Sequence, residues 1–166
     1  AAHPSGRWLY AVGEDASGTV TAFEVTDDGG LLARGTISSG GASPCHLALA
    51  PDARTLYVAN YSSGTLGVIA LDDDGALAGG ASGPAQVFAH EGTGPDPTRQ
   101  EGPHAHFVAA REDEVLVVDL GVDAVRRYTV GADGTLAAAG HVAELPPGTG
   151  PRHLALSPDG RRCYVV

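Results

Sequence analysis

The sequence predicts an all-β fold built from repeated four-stranded units. The first observation is a phrase that occurs twice, PCHLALAPDARTLYVA at residues 44–59 and PRHLALSPDGRRCYVV at residues 151–166, with a weaker copy, PHAHFVAAREDEVLVV, at residues 103–118. The second is composition, since 24 glycines and 11 prolines suit short strands joined by tight turns. The third is the spacing of the copies, 103 − 44 = 59 and 151 − 103 = 48. Strand-rich repeats of this period are typical of β-propeller blades.

The repeats predict the elements in order along the chain. They divide it into one partial propeller domain of about three and a half four-stranded blades, at residues 1–43, 44–102, 103–150 and 151–166. Apolar segments bounded by turn residues predict strands at residues 9–12, 19–25, 46–50, 56–60, 65–71, 115–120 and 124–130. Asp-Gly pairs, which are strong hairpin signals, follow three of these strands at residues 28–29, 74–75 and 133–134.

Two parts of the second repeat are less regular. A fourth, polar-edged segment is predicted to begin at Leu77. Residues 83–102 are rich in Gly, Pro and charge and account for the longer offset of the third copy. We predict a surface loop there, because irregular segments are usually exposed, and the alternative is a flap beside a pocket.

Both ends of the sequence fall within repeats. Ala2 corresponds to Leu49 in a first strand, and Val166 corresponds to Ala59 in a second strand. A sheet that is cut within its strands leaves unpaired backbone edges, and ring closure takes roughly four to eight blades. We therefore expect this chain to be a segment of a longer propeller, with the remaining blades as its partners.

The charge balance excludes several classes of function. The net charge is −10, and all ten basic residues are arginines. An acidic surface argues against nucleic acid or an anionic membrane as a partner. The absence of lysine excludes Schiff-base chemistry and a P-loop lysine. No apolar run approaches the length of a membrane span, so a soluble protein is the prediction.

Polar residues are expected to gather at one face of the propeller. In a blade, the start of the first strand and the end of the second strand lie on the same face near the central channel. Polar groups at the mouth of a rigid scaffold are the default site hypothesis. This reasoning collects Glu14, His46, Asn60, Tyr61, His104, His106, Asp119, Arg152 and His153. The remaining histidines, His3, His90 and His141, are predicted to be solvated surface residues.

Residue type and spacing alone do not decide the roles of these residues. His104 and His106 are two apart, so on a strand both point to one side, as a metal pair completed by Asp119 or His153 would require. Only the pair is visible in the sequence, and zinc needs three or four ligands, so no metal is predicted. The motif aligns Arg152 with Cys45 and His104, and its guanidinium suits either an anion clamp or a surface salt bridge.

Three segments resemble a known family. GPHAHF at residues 102–107, DLGVDAVRRY at residues 119–128 and GTGPRHLALSPDGRRCYVV at residues 148–166 are similar to the lactonase propeller family. That family includes bacterial propeller-type 6-phosphogluconolactonases and fungal carboxymuconate-lactonizing enzymes. The resemblance implies a seven-bladed propeller of about twice this length. One departure is that residues 109–114 lack the Pro-Asp-Gly turn usual after the first strand.

The resemblance also implies site residues. A His of the first motif and an Arg of the second are active-site residues in the family, and they map onto His104 or His106 and onto Arg152. The family's Glu, from an Asn-Glu pair, is expected after Val166, and a further Arg is expected in a later blade. We therefore expect the isolated segment to be inactive.

The expected activity is cytoplasmic hydrolysis of an anionic sugar lactone such as 6-phosphogluconolactone. His104 or His106 is expected to act as a general base, and Arg152 to bind the substrate anion or the oxyanion. Expected substrate-binding residues are His46, Asn60, Tyr61, Asp119 and His153, although a structural hydrogen bond is the simpler role for the repeated His46 and His153. No cofactor is expected, because a lactone ester is already activated. The alternatives are a carboxymuconate-type cycloisomerase and a non-catalytic binding propeller.

Overall fold

The computed structural model describes residues 1–78 and 83–166, which form thirteen strands in four antiparallel sheets and contain no helix. The first sheet contains β1 (Trp8–Gly13), β2 (Thr19–Val25) and β3 (Leu31–Ser38). The second contains β4 (Pro44–Leu49), β5 (Thr55–Asn60), β6 (Thr65–Ala70) and β7 (Gln86–Ala89). The third contains β8 (Ala105–Ala110), β9 (Glu114–Asp119), β10 (Ala124–Val130) and β11 (Leu136–Glu144). The fourth contains β12 (Leu154–Leu156) and β13 (Cys163–Val165). The all-β prediction is confirmed.

One predicted strand is misplaced. Leu77 forms only an isolated bridge with Leu71, and the fourth strand of the second sheet is β7, which pairs with β6. Part of the predicted segment, residues 79–82, lies outside the described residues. β7 therefore occupies the beginning of the segment that the sequence assigned to an insertion. The irregular loop starts only after Ala89.

The second strand of each complete sheet is buried on both faces. In β5, Leu56 and Val58 pack against the first sheet, while Tyr57 and Ala59 pack against the third. Strands alternate their side chains between faces, so a strand between two sheets needs apolar residues at every position. β9 repeats the pattern, because its even and odd residues belong to different core clusters. The sheets are thus stacked side by side like blades, each sharing a core with the next.

The strand register corrects the alignment of the repeats. Leu49 pairs with Leu56, and Ala110 pairs with Val115. Residues 50–54 connect β4 to β5, whereas only residues 111–113 connect β8 to β9. The connection in the third sheet is thus two residues shorter, which is where the Pro-Asp-Gly turn is missing. The first strand of that sheet slides by two residues against the sequence alignment. The position of Cys45 is consequently taken by His106 and not by His104.

A buried carboxylate joins the second and third sheets. Asp119 is fully buried, and its Oδ1 accepts hydrogen bonds from the backbone N–H of His104 at 2.8 Å and of Gly121 at 2.9 Å. Its Oδ2 pairs with Nδ1 of His90, and Nε2 of His90 lies 2.8 Å from the hydroxyl of Tyr128. Burial raises the pKa of Tyr128 to about 12, so this hydroxyl stays protonated and can donate to the imidazole.

The prediction that His90 is a solvated surface residue is wrong. Its side chain is 1% exposed. His90 directly follows β7, and its backbone N–H donates to the carbonyl of Gly64 at 2.9 Å. Since the sequence placed the fourth strand too early, the residue that ends it looked like part of a loop.

Asn60 occupies the corresponding place between the first and second sheets. Its Nδ2 donates to the carbonyl of Ser39 at 3.2 Å and to Oγ1 of Thr65 at 3.1 Å. Ser39 follows β3 as His90 follows β7. In the second and third sheets, a polar residue at the end of the second strand (Asn60 in β5, Asp119 in β9) therefore ties its sheet to the end of the preceding one. The side chains of Asn60 and Asp119 are sealed inside, and the structure gives them a scaffold position away from solvent.

Replacing Asp119 by Ala is expected to lower the free energy of unfolding by about 3 kcal/mol or more, because it leaves a buried histidine and two backbone N–H groups without an acceptor. Urea unfolding of the protein that contains this chain measures the loss. Glu112→Ala, which removes an exposed carboxylate from the neighbouring turn, is the matched control and should change stability by about 0.5 kcal/mol at most. Equal stability of the two variants would contradict the role given to Asp119.

Candidate active site

A row of three equivalent residues crosses three sheets at one face. Cys45 and His106 each sit at a register shift at the start of a first strand, and Arg152 holds the same position in the fourth sheet. Such bulges redirect side chains out of the regular alternation. The Sγ of Cys45 lies 3.3 Å from the carbonyl oxygen of His106, and Nε2 of His106 lies 3.4 Å from Nη1 of Arg152. The row is continuous from blade to blade.

A second row lies one residue further along the same strands. The ring of Phe107 stacks on His46 at a centroid distance of 4.0 Å and meets the edge of His153 at 5.5 Å. Nδ1 of His46 accepts a hydrogen bond from the backbone N–H of Val108 at 3.3 Å. Burial, followed by the charge of His153, lowers the pKa of His46 to about 4. His46 is therefore neutral and tied to the strand, whereas His153 is exposed.

His104 is held at both ring nitrogens. Its Nδ1–H donates to the carbonyl of Tyr61 at 3.0 Å, and its Nε2 lies 3.3 Å from a carboxylate oxygen of Glu101. Its ring also stacks on the ring of Tyr61 at 4.4 Å with an interplanar angle of 15°. The side chain is 10% exposed. Both ring nitrogens of His104 thus face acceptor groups of the protein.

His106 has fewer side-chain hydrogen bonds than His104. Its Nδ1 is buried without a hydrogen-bond partner in the described part of the chain, and its Nε2 lies beside the guanidinium of Arg152. Burial lowers the pKa of His106, and the charges of Arg152 and His153 lower it further. The imidazole is thus neutral at neutral pH and retains one unprotonated nitrogen. A neutral imidazole is suited to accepting a proton.

Arg152 is exposed and carries no carboxylate partner within residues 1–78 and 83–166. Cys45 beside it is a thiol and not a thiolate, because burial and the nearby carboxylate of Glu14 raise its pKa to about 11. Nucleophilic cysteines have lowered pKa values, so Cys45 is not suited to that role. We call the face that carries the row of Cys45, His106 and Arg152 the rim. The guanidinium of Arg152 is a cationic group available to a ligand there.

A buried hub fixes the loop that leads to Arg152. Nε2 of Gln100 donates to the carbonyl of Leu120 and to Oδ1 of Asp123, both at 2.8 Å. The carboxylate of Asp123 also accepts the backbone N–H groups of Gly148 and Gly150, both at 2.7 Å. Asp123 has a positive φ of 51°, a conformation that Asp tolerates better than most residues. Gln100 and Asp123 carry no repeat signal, because neither belongs to the shared motif.

The predicted residues thus divide into two groups. The structure brings Tyr61, His104, His106, Arg152 and His153 together at the rim, with His46 and Cys45 beneath them. The equivalence of Cys45 with His106 could have been found from the sequence by allowing for the shorter turn of the third repeat. Asn60 and Asp119 lie in the scaffold between the sheets.

Comparison with known proteins decides the family. The family model described as "Lactonase, 7-bladed beta-propeller" matches residues 1–166. The chain belongs to this family. The resemblance noted from its motifs is therefore confirmed.

Several relatives carry a lactonase name. The 6-phosphogluconolactonase of Bacillus subtilis (strain 168) is 34% identical over 95% of this chain and 44% of that protein. The 6-phosphogluconolactonase of Pectobacterium atrosepticum is 30% identical over 98% of this chain and 45% of that protein. The structure of the Pseudomonas aeruginosa periplasmic gluconolactonase PpgL is 30% identical in sequence and matches with a TM-score of 0.89. The match covers 99% of this chain and 49% of that chain.

The chain spans about half the length of the relatives that it matches. This share agrees with the expectation that further blades complete the ring. Since one relative is described as periplasmic, the cytoplasmic location stays a prediction. Residues 1–78 and 83–166 contain no helix that is long and apolar enough to cross a membrane. They also contain no group of three or more side chains that could hold a metal ion.

The folded protein is expected to keep His46 neutral down to a pH of about 4. The unfolded chain binds a proton at this residue near its ordinary pKa of about 6.5, so His46 makes the free energy of unfolding fall as the pH drops from about 6.5 towards 4. A ring titration of His46 by NMR measures the midpoint, and urea unfolding at both pH values measures the loss. The loss should be smaller in His46→Gln, and a midpoint near 6.5 would contradict the assignment.

Proposed function

We propose that the protein containing this chain hydrolyses a sugar lactone that carries an anionic group. The observation that supports this most strongly is a neutral, half-buried His106 beside the guanidinium of Arg152, which has no carboxylate partner among the described residues. The names of the Bacillus and Pectobacterium relatives make 6-phosphogluconolactone the first substrate to test.

In this proposal His106 acts as the general base. Its unprotonated nitrogen takes a proton from a water molecule while the water oxygen bonds to the lactone carbonyl carbon. The carbonyl π electrons move onto oxygen and give a tetrahedral oxyanion. When this intermediate collapses, the bond between the carbonyl carbon and the ring oxygen breaks, and the ring oxygen takes the proton from the imidazolium. The product is the open-chain hydroxy acid, so one water is added overall.

Arg152 has two roles in this scheme. Its positive charge helps to keep His106 unprotonated at neutral pH, so the base is ready without a change of conditions. Its N–H groups also bind negative charge, either the oxyanion formed on attack or the anionic substituent of the substrate. Both roles require the guanidinium to be free of acidic side chains, as it is in the described residues.

The other rim residues are assigned supporting roles. Tyr61 and His104 form a stacked pair that supports the wall of the site, and the exposed His153 is placed to contact the substrate. His46, with its strand hydrogen bond, keeps Phe107 in position between the two histidine rings. We assign Asn60 and Asp119 to holding the sheets and not to touching the substrate.

His106→Asn is expected to lower kcat for lactone hydrolysis by about 100-fold or more, because the base is lost. His141→Asn, which changes an exposed histidine on β11, is the matched control and should leave kcat unchanged. Initial rates by pH-stat titration, in the protein that contains this chain, give both values. Equal rates for the two variants would show that His106 is not the base.

Arg152→Gln should move the acid limb of the pH–rate profile to higher pH. The wild-type limb is expected below the ordinary histidine pKa of about 6.5, since burial and then Arg152 lower the pKa of His106. Removing the guanidinium removes one of these causes, so the base becomes protonated at a higher pH. The measurement is kcat/KM against pH for both proteins, and coincident acid limbs would exclude the proposed coupling.

A further inference from the structure

A small pocket lies directly behind Arg152, between two loops of the rim. It has a volume of about 190 Å³. It is lined by Asp96, Arg99, Gln100, Leu120, Gly148, Thr149, Gly150 and Arg152. Pockets that enclose whole drug-sized ligands start at roughly 300 Å³. This one has room for a substituent and not for a complete sugar ring.

The walls of the pocket are fixed by the buried hub. Gln100 and Asp123 connect the loop of residues 90–104 to the loop of residues 148–152. Within the first loop, Oε1 of Gln100 accepts the backbone N–H of Asp96 at 3.2 Å, and its carbonyl accepts the N–H of Gly94 at 2.9 Å. The segment that carries Arg99 is therefore folded onto the hub and is held beside Arg152.

The charges in the pocket favour an anion. Arg99 and Arg152 both lack a carboxylate within ion-pair distance in the part of the chain that the structure describes. Five other arginines, by contrast, pair with acidic side chains, namely Arg7, Arg34, Arg54, Arg111 and Arg127. Asp96 also lines the pocket, and its Oδ1 is occupied by N–H and Oγ1 of Thr98, both at 2.8 Å. Two arginines and one aspartate thus line the pocket, and the positive charge of Arg99 also acts on Asp96 without an ion pair between them.

We propose that this pocket binds the phosphate group of a phosphorylated lactone and that Arg99 determines the preference for phosphorylated over unphosphorylated lactones. The proposal rests on the proposed function and adds to it the place and the residue that recognise the phosphate. Guanidinium groups bind phosphate oxygens in bidentate pairs, and two of them that line one pocket can hold one dianion. Arg152 lines the pocket and also faces His106, so the phosphate and the lactone carbonyl lie on either side of one guanidinium.

The kinetic test compares two substrates. In the protein containing this chain, Arg99→Gln is expected to lower kcat/KM for 6-phosphogluconolactone about tenfold or more, the usual effect of losing one charge-assisted hydrogen bond. The change should appear in KM and not in kcat. Hydrolysis of glucono-δ-lactone should change less than about twofold, because that substrate has no phosphate.

Control variants separate the pocket from general charge effects. Arg161→Gln removes another exposed arginine, from the turn between β12 and β13, that has no ion pair within the described ranges, and it should leave both substrates unaffected. Arg99→Lys keeps the charge without the planar fork and should give an intermediate KM for the phosphorylated lactone. An equal loss on both lactones in Arg99→Gln, or an equal loss in Arg161→Gln, would overturn the proposal.

Direct binding keeps this proposal separable from the proposed reaction. Inorganic phosphate, titrated into the same protein by calorimetry, should bind more weakly to Arg99→Gln and more tightly to Asp96→Asn, which removes the opposing carboxylate. If no lactone is hydrolysed but phosphate binding responds in this way, the proposed function fails and the pocket assignment stands. If lactones are hydrolysed but phosphate binding is the same in wild type and both variants, the pocket assignment fails.

Discussion

The carboxylate of Asp119 has no contact with solvent, and three N–H groups from two sheets point at it. A buried charge is costly unless it is paired and hydrogen-bonded, so these donors are what permits the residue there. Each donor belongs to a segment on which the rim depends: the entry to β8 at His104, the turn at Gly121, and the end of β7 at His90. A side chain at Gly121 would place its Cβ 1.9 Å from the carbonyl oxygen of Gly102. The fold and the site therefore share one hydrogen-bond network.

The chemistry of the rim depends on a turn that lies at the other end of the strands. Because the connection between β8 and β9 is two residues shorter than that between β4 and β5, His106 occupies the bulge position that holds Cys45 in one neighbouring sheet and Arg152 in the other. Repetition of one backbone position around an axis is what brings unlike side chains into contact. The histidine is close enough to the guanidinium for its pKa to be lowered, and His104 takes a supporting place instead.

The overall negative charge of the chain is unfavourable for binding an anion, so the local charges at the site matter. A chain with a net charge of −10 repels anions at long range, although salt screens that repulsion beyond about 8 Å at physiological ionic strength. Attraction must then come from cations at the site itself. Five of the ten arginines are paired with acidic residues, whereas Arg99 and Arg152 line the pocket behind the rim without such partners in the described ranges. The loop after β7 thus contributes charge near the rim.

The sequence by itself determined the all-β class, seven of the strands to within a few residues, and the face on which polar side chains collect, because hydrophobic alternation and Asp-Gly turns are local signals. It could not show that His106, and not His104, is equivalent to Cys45 and Arg152, since that equivalence depends on strand register, which pairing across the sheet decides. It also misjudged His90, whose burial follows from where β7 pairs, and it missed Gln100, Asp123 and Arg99. Those residues lie in irregular loops without a period. Only the packing of loop against loop in the tertiary structure gives them partners.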